Sequence, residues 1–139
     1  MPEIIVPEPA DLARMVAAAG AFSVPADGVR LSPEELAPGQ ILAGSPRVSS
    51  IELWSSPDGG QSRGIWEITP GTVTDVERDE VFVVLTGRAT LEVDGGATVE
   101  LAPGSVCLLA EGAKTIWIVH ETLRKVYHIM EPQNPPQAM

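Results

Sequence analysis

The sequence predicts an all-β chain: one small barrel or sandwich of short strands, preceded by a single short helix. Three observations carry this. From about residue 62 to 130 the chain is a dense series of alternating or apolar runs. Gly and Pro, 13 of each, fall between those runs, and both residues punctuate secondary structure rather than extend it. The chain has 139 residues, 44% of them apolar, enough for one core and one domain. Short strands at nearly regular spacing argue for a sandwich or barrel. Closing a barrel also removes the exposed edges that invite aggregation.

Residues 1–60 read as an extension, interrupted often by Pro, Gly and Ser. Leu12, Met15, Val16 and Ala19 fall at helical spacing, with Asp11 near the start and Gly20 at the end, which predicts one amphipathic helix. Ile41-Leu42 and Ile51-Glu52-Leu53-Trp54 read as edge strands, and Pro57-Asp58-Gly59-Gly60 as a turn. Residues 61–131 read as the barrel. Gly64-Ile65-Trp66-Glu67-Ile68 precedes the turn Pro70-Gly71. Val81-Phe82-Val83-Val84-Leu85 is a β-branched run that Gly87 is expected to stop. Ala89 to Val93 meets Asp94-Gly95-Gly96, a hairpin signal. Thr98 to Leu101, Val106 to Leu109, Thr115 to Val119 and Leu123 to Ile129 complete the series, with a turn expected at Glu121-Thr122. Residues 132–139 read as a flexible tail.

The formal net charge of −10 excludes non-specific binding to nucleic acid or anionic lipid, which needs a basic surface. No apolar run is long enough to cross a bilayer. The N-terminal Met-Pro-Glu-Ile-Ile-Val-Pro-Glu-Pro lacks a basic segment followed by an apolar stretch, so a cytoplasmic location is expected. Cys107, the single cysteine, sits in an apolar run and reads as a small buried hydrophobe.

Several pieces in order carry a resemblance: Gly64 to Gly71, Asp79 to Ala89, Leu101-Ala102-Pro103-Gly104, Glu111-Gly112, and Thr115 to Tyr127. Together they resemble the small single-domain cupins grouped with (S)-ureidoglycine aminohydrolase and the ethanolamine-utilisation cupin. The resemblance implies a jelly-roll β-barrel, often dimeric, with a ligand pocket at its mouth. A typical first cupin motif has Gly, five residues, His-x-His, three or four residues, Glu, six residues and Gly. Here Glu80 and Gly87 keep the ending. The two histidine places fall on Val73 and Asp75, or on Thr74 and Val76, and the histidine of the second motif falls on Thr115. Imidazole is what suits a first-row metal in such a site, so no bound metal and no cofactor are expected. Asp75, Glu77, Asp79 and Glu80 could instead offer oxygen to a hard cation, but strand alternation turns neighbours to opposite faces. A solvated acidic edge is the expectation for them. His120 and His128 are expected at the surface, though either could act as an acid or base.

Alternation also outlines a pocket. If Glu80 points inward, Phe82 and Val84 share its face; if Thr115 does, Trp117 and Val119 follow. On the last strand Leu123, Lys125, Tyr127 and Ile129 form the more apolar face and are placed inward. The expected ligand-binding residues are therefore Glu80, Phe82, Thr115, Trp117, Lys125 and Tyr127. A buried Lys125 should pair with Glu80 or with the acidic or carbonyl group of a ligand. The same pair could equally serve only to complete the core. Trp54, Trp66 and Trp117 read as core packing rather than as a sugar platform. The function expected is a small-molecule-binding cupin with a degenerate metal site. The alternative is a metal-independent or weakly metal-dependent enzyme of isomerase, lyase or aminohydrolase type. A homodimer is expected, because edge strands around Ile41 and Ile51 could add to a neighbouring sheet.

Overall fold

A computed structural model of the chain describes residues 3–131. The tail expected at 132–139 lies outside them. The element order is one helix, α1 (Pro9–Ala19), followed by nine strands. These are β1 (Ser32–Glu34), β2 (Ile41–Ala43), β3 (Val48–Ser55), β4 (Gln61–Ile68), β5 (Gly71–Val76), β6 (Asp79–Val93), β7 (Thr98–Leu101), β8 (Val106–Leu109) and β9 (Lys114–Met130). The all-β expectation with one N-terminal helix is borne out. Strands β1 and β5 were not anticipated. Each is paired to a neighbour strand, Ser32 with Ser50 and Val73 with Trp117; β1 (Ser-Pro-Glu) owes its strand to that partner, while β5 is itself rich in β-branched residues.

Every strand pair is antiparallel. The path runs β1-β3-β4-β9-β5-β2, and β6 joins β7, β8 and β9. Strand β9 is the hinge of this arrangement. Its first half pairs with β5, its second half with β4, and β6 follows it along most of its length. The sheet therefore curls on itself around β9, which carries β6 along one edge and β5 and β4 in succession along the other.

Two expectations about breaks are corrected. The run 81–85 does not stop at Gly87, and no turn separates Thr115 to Val119 from Leu123 to Ile129. Both strands continue, and the register shifts between Val84 and Ala89 instead. Gly87 makes this possible. It takes φ 92°, and a Cβ there would lie 2.1 Å from the Thr122 carbonyl oxygen. The bulge lets two long strands bend together, where a break would have left backbone groups unpaired.

The interior cluster includes Ile68, Phe82, Val84, Leu91, Leu101, Trp117, Val119 and Leu123. A second cluster lies on the outer face of the sheet, where Val6, Leu12 and Val29 pack on Ile65, with Ile51, Leu53 and Val126 around them. The N-terminal segment thus covers a face of its own barrel. Helix α1 begins at Pro9, whose missing N–H costs nothing in a first turn, and ends where Gly20 turns left-handed and donates to the Val16 carbonyl at 2.7 Å. Leu12 is its one buried residue, and burying a leucine contributes roughly 1.5–3 kcal/mol. Arg124 pins the segment: Nε donates to Glu67 Oε1 at 2.9 Å and Nη1 to the Ala26 and Val29 carbonyls at 2.8 and 3.3 Å.

Candidate functional site

At the open end of the barrel is a cavity of about 440 Å³. Its floor is built by β5, β6 and β9. In the register Val73 lies opposite Trp117 and Asp75 opposite Thr115, so alternation turns Val73, Asp75, Thr115 and Trp117 to one face. Lys125 comes from the far half of β9, and its Nζ lies 2.8 Å from Glu80 Oε2 on β6. Both side chains are only 6% exposed. Three rings enclose the ammonium: Phe82, Trp66 and Trp117, with centroids 4.2, 4.5 and 5.0 Å from Nζ. A cation over aromatic faces in a desolvated place gains on the order of 2 kcal/mol. Burial raises the Glu80 carboxyl above its usual range, and the Lys125 charge only partly opposes this.

Glu77 is the residue the sequence reading missed. It follows β5, is 7% exposed, and accepts at Oε2 from the Thr115 hydroxyl at 2.6 Å and the Trp117 indole at 3.0 Å. The solvated acidic edge is thereby corrected, since Glu77 and Glu80 are both buried. Alternation counted back from the inward Glu80 would turn Glu77 outward. The strand breaks between β5 and β6, so that parity does not carry across. Counting forward from Val73 and Asp75 would have found it. Asp75 lines the cavity, and its carboxyl is pushed up first by partial burial and then by the Glu77 charge. Asp79 faces away and accepts from the Glu111 N–H at 2.9 Å.

Of the six residues expected at the site, Glu80, Trp117, Lys125 and Tyr127 line the cavity. Phe82 and Thr115 do not. Phe82 lies against Lys125 and Trp117, and Thr115 holds Glu77. The Tyr127 ring fits because its cross-strand partner is Gly64. A Cβ at Gly64 would be 2.6 Å from the Tyr127 hydroxyl and 2.1 Å from the Ile51 carbonyl oxygen. Burial, followed by the charges of Glu52, Glu34 and Glu80, pushes the Tyr127 hydroxyl up to about 12, so it is a neutral hydrogen-bonding group in ordinary buffers.

Other candidates lie elsewhere. His120 is exposed, with Nε2 2.9 Å from Thr90 Oγ1. His128 is half-buried and accepts at Nδ1 from Arg63 Nε at 2.9 Å. Trp54 is not core; Arg63 stacks over it at 4.2 Å. Cys107 is buried, and burial raises its thiol, as an inert cysteine requires.

The positions that correspond to cupin metal ligands do not fit a transition metal. Val73 offers no donor atom, Thr115 has given its hydroxyl to Glu77, and the Lys125 ammonium stands against Glu80. In the other alignment Thr74 donates to the Thr115 carbonyl at 3.0 Å and Val76 is exposed. Among the described residues no three His, Cys, Asp or Glu side chains are grouped to hold a metal ion.

Residues 55–127, more than half the chain, match the EutQ-like cupin domain. The chain belongs to that family. The curled β-sheet of this cupin is its jelly roll, and solved structures share it. An ethanolamine utilization protein Q from Salmonella typhimurium is similar over 83% of this cupin and 89% of its own length, with 17% identity and a TM-score of 0.64. A Pseudomonas syringae protein of unknown function has 22% identity and a TM-score of 0.66 over 73% of this cupin. This cupin spans only 45% of that longer chain. Ectoine synthase from P. lautus is 25% identical over 68% of this cupin and 70% of its own chain, with a TM-score of 0.54. No curated protein matches. Among the described residues no helix is long and apolar enough to cross a membrane.

Proposed function

We propose that this cupin binds a small molecule in its barrel without relying on a transition metal. The observation that carries this is the cavity of about 440 Å³ resting on a buried Lys125–Glu80 pair with Trp66 and Trp117 beside it. Small-molecule sites occupy roughly 300–1,000 Å³ and combine apolar walls with a few fixed polar groups. Tyr127 supplies a neutral hydroxyl, and Lys125, Glu80 and Trp117 supply the floor. The test is a thermal-shift screen of small polar compounds on wild type and Tyr127→Phe, paired with elemental analysis of protein purified without chelator. A hit weakened in Tyr127→Phe supports the reading. One retained equivalent of Mn, Fe, Ni or Zn, lost in Glu80→Ala, would sink its metal-independent part.

A catalytic reading has one specific support: a raised Glu80 carboxyl beside an ammonium and a phenol is a plausible acid–base set. In that reading Glu80, Lys125 and Tyr127 exchange protons with a small polar substrate in an isomerase, lyase or aminohydrolase type of step. Ectoine synthase, a similar structure, is itself an enzyme by name. Turnover of a screened hit, abolished in Glu80→Gln, separates catalysis from binding. We further propose a homodimer. Val106 and Leu108 stand exposed on β8, which pairs only with β6. Such an edge offers backbone and apolar surface to a second copy. A monomer mass by light scattering at micromolar concentration would count against it.

A further inference from the structure

We propose that the cavity takes an organic cation, a small ammonium compound, and not the acidic ligand that a buried lysine first suggests. The inference rests on the small-molecule reading and names the ligand class for the same site.

The basis is a charge balance around a cavity whose floor is buried and whose rim is exposed. Seven carboxylates and two cations line the cavity. The two cations are already engaged, Lys125 with Glu80 at 2.8 Å and Arg78 with Glu131 at 3.3 Å. Glu77 remains on the floor, and Asp75, Glu34, Glu35 and Glu52 on the walls. Glu77 is buried yet receives only neutral donors, the Thr115 hydroxyl and the Trp117 indole. Those bonds orient the carboxylate without cancelling its charge. Glu34 takes a hydroxyl from Ser50, which is again neutral.

A second observation points the same way. The Glu80 side chain is 6% exposed and lines the cavity, and Lys125 Nζ stands 2.8 Å from its Oε2. That pair is neutral within itself, so Lys125 has no charge left over to offset Glu77 or Asp75. The walls suit the same ligand. Trp66 and Trp117 pack 5.6 Å apart, and each already presents a face to one ammonium, that of Lys125. An anion entering the same space would pass the carboxylates of Glu34, Glu35 and Glu52, and would have to displace Glu80 from Lys125. An ammonium group with an apolar tail would neutralise the floor, donate to its carboxylates and leave its tail on the indoles.

The test uses the full chain and defined probes. Thermal shift and calorimetry are run with n-butylammonium and 1,4-diaminobutane, with butyrate and glutarate as anions of similar size, and with NaCl and MgCl₂ at matched ionic strength. The proteins are wild type, Asp75→Asn and Glu52→Gln. Asp75 is exposed at the cavity wall, so its amide variant should fold. We expect saturable binding of the amines, no response to the anions, and at least a tenfold loss of amine affinity in Asp75→Asn. Glu52→Gln should lose less. Binding of the anions in place of the amines would overturn the cation assignment and leave the small-molecule reading standing. An amine response matched by NaCl or MgCl₂, or unchanged in both variants, would also overturn it, as screening of the general negative charge. No response to any probe, or to the wider screen, would remove both readings.

Discussion

Arg124 and Lys125 are consecutive on β9 and face opposite sides of the sheet. On the outside, Arg124 makes an ion pair with Glu67 and reaches the Ala26 and Val29 carbonyls. Its Nε and Nη1 donate to groups that belong to the chain, and the result ties the N-terminal segment to the barrel. On the inside, Lys125 has one carboxylate and three rings, with a cavity above it and further carboxylates around that cavity. The outer cation completes a structure. The inner one leaves an excess of negative charge in a space large enough for a ligand. Burial alone does not separate the two roles; how far each group's partners are supplied by the chain itself does.

The sharpest way to break this comparison is to remove each cation in turn. Lys125→Met leaves Glu80 buried without a counter-charge, and breaking a buried pair from one side costs about 3–5 kcal/mol. Urea unfolding should show this loss, and Glu80→Gln in the same chain should restore part of it. Gly64→Ala strikes the sheet beside Tyr127, its cross-strand partner. With a Cβ 2.1 Å from the Ile51 oxygen, backbone must move, and a loss of about 3 kcal/mol is expected, the upper part of the usual overpacking range. Arg124→Met should cost less, about 1.5–3 kcal/mol for hydrogen bonds to a charged group. Its signature is faster proteolysis within the N-terminal segment with ligand response at the cavity intact. If Arg124→Met abolishes that response, the separation of roles fails.

The smallest effect is in pH dependence. Glu80 has a folded-state value raised above its ordinary 4.5, so the folded chain binds its proton more readily than the unfolded chain. The resulting stabilisation is complete below 4.5 and is lost as pH rises through the raised value. Unfolding free energy, compared between wild type and Glu80→Gln across this window, should show wild type losing ground as pH increases. Tyr127 repeats the pattern in alkali, between its ordinary 10.0 and about 12. An opposite slope in the acid window would mean that Lys125, and not burial, governs Glu80.

Much of the fold could be read from turn residues, because a glycine or proline acts locally. The helix at Pro9–Ala19 with its Gly20 cap, the Asp94-Gly95-Gly96 hairpin, and strands Thr98–Leu101 and Val106–Leu109 are of this kind. What failed to be legible depends on partners. Gly87 looked like a stop because glycine usually is one. It is a bulge because Thr122 crosses it closely on a neighbouring strand, 35 positions later in the chain. The inward face of β9 followed from its own alternation and put Lys125 and Tyr127 at the cavity. Glu77 directly follows β5, and the gap before β6 resets alternation, so it is located by counting on from Val73 and Asp75 and not back from Glu80.

Strand β9 has a further consequence for how the chain is made. It is the last strand among the described residues, and it holds β4, β5 and β6 in place at once. On a ribosome those three strands emerge well before the segment that unites them. Until residues near Met130 have left the exit tunnel, the nascent chain has no way to close its barrel, and its apolar strands wait with their edges open. Closure then waits for a long-range pairing of the kind that folds slowly, and it makes β9 the segment whose delay most exposes the growing chain to aggregation and chaperone capture.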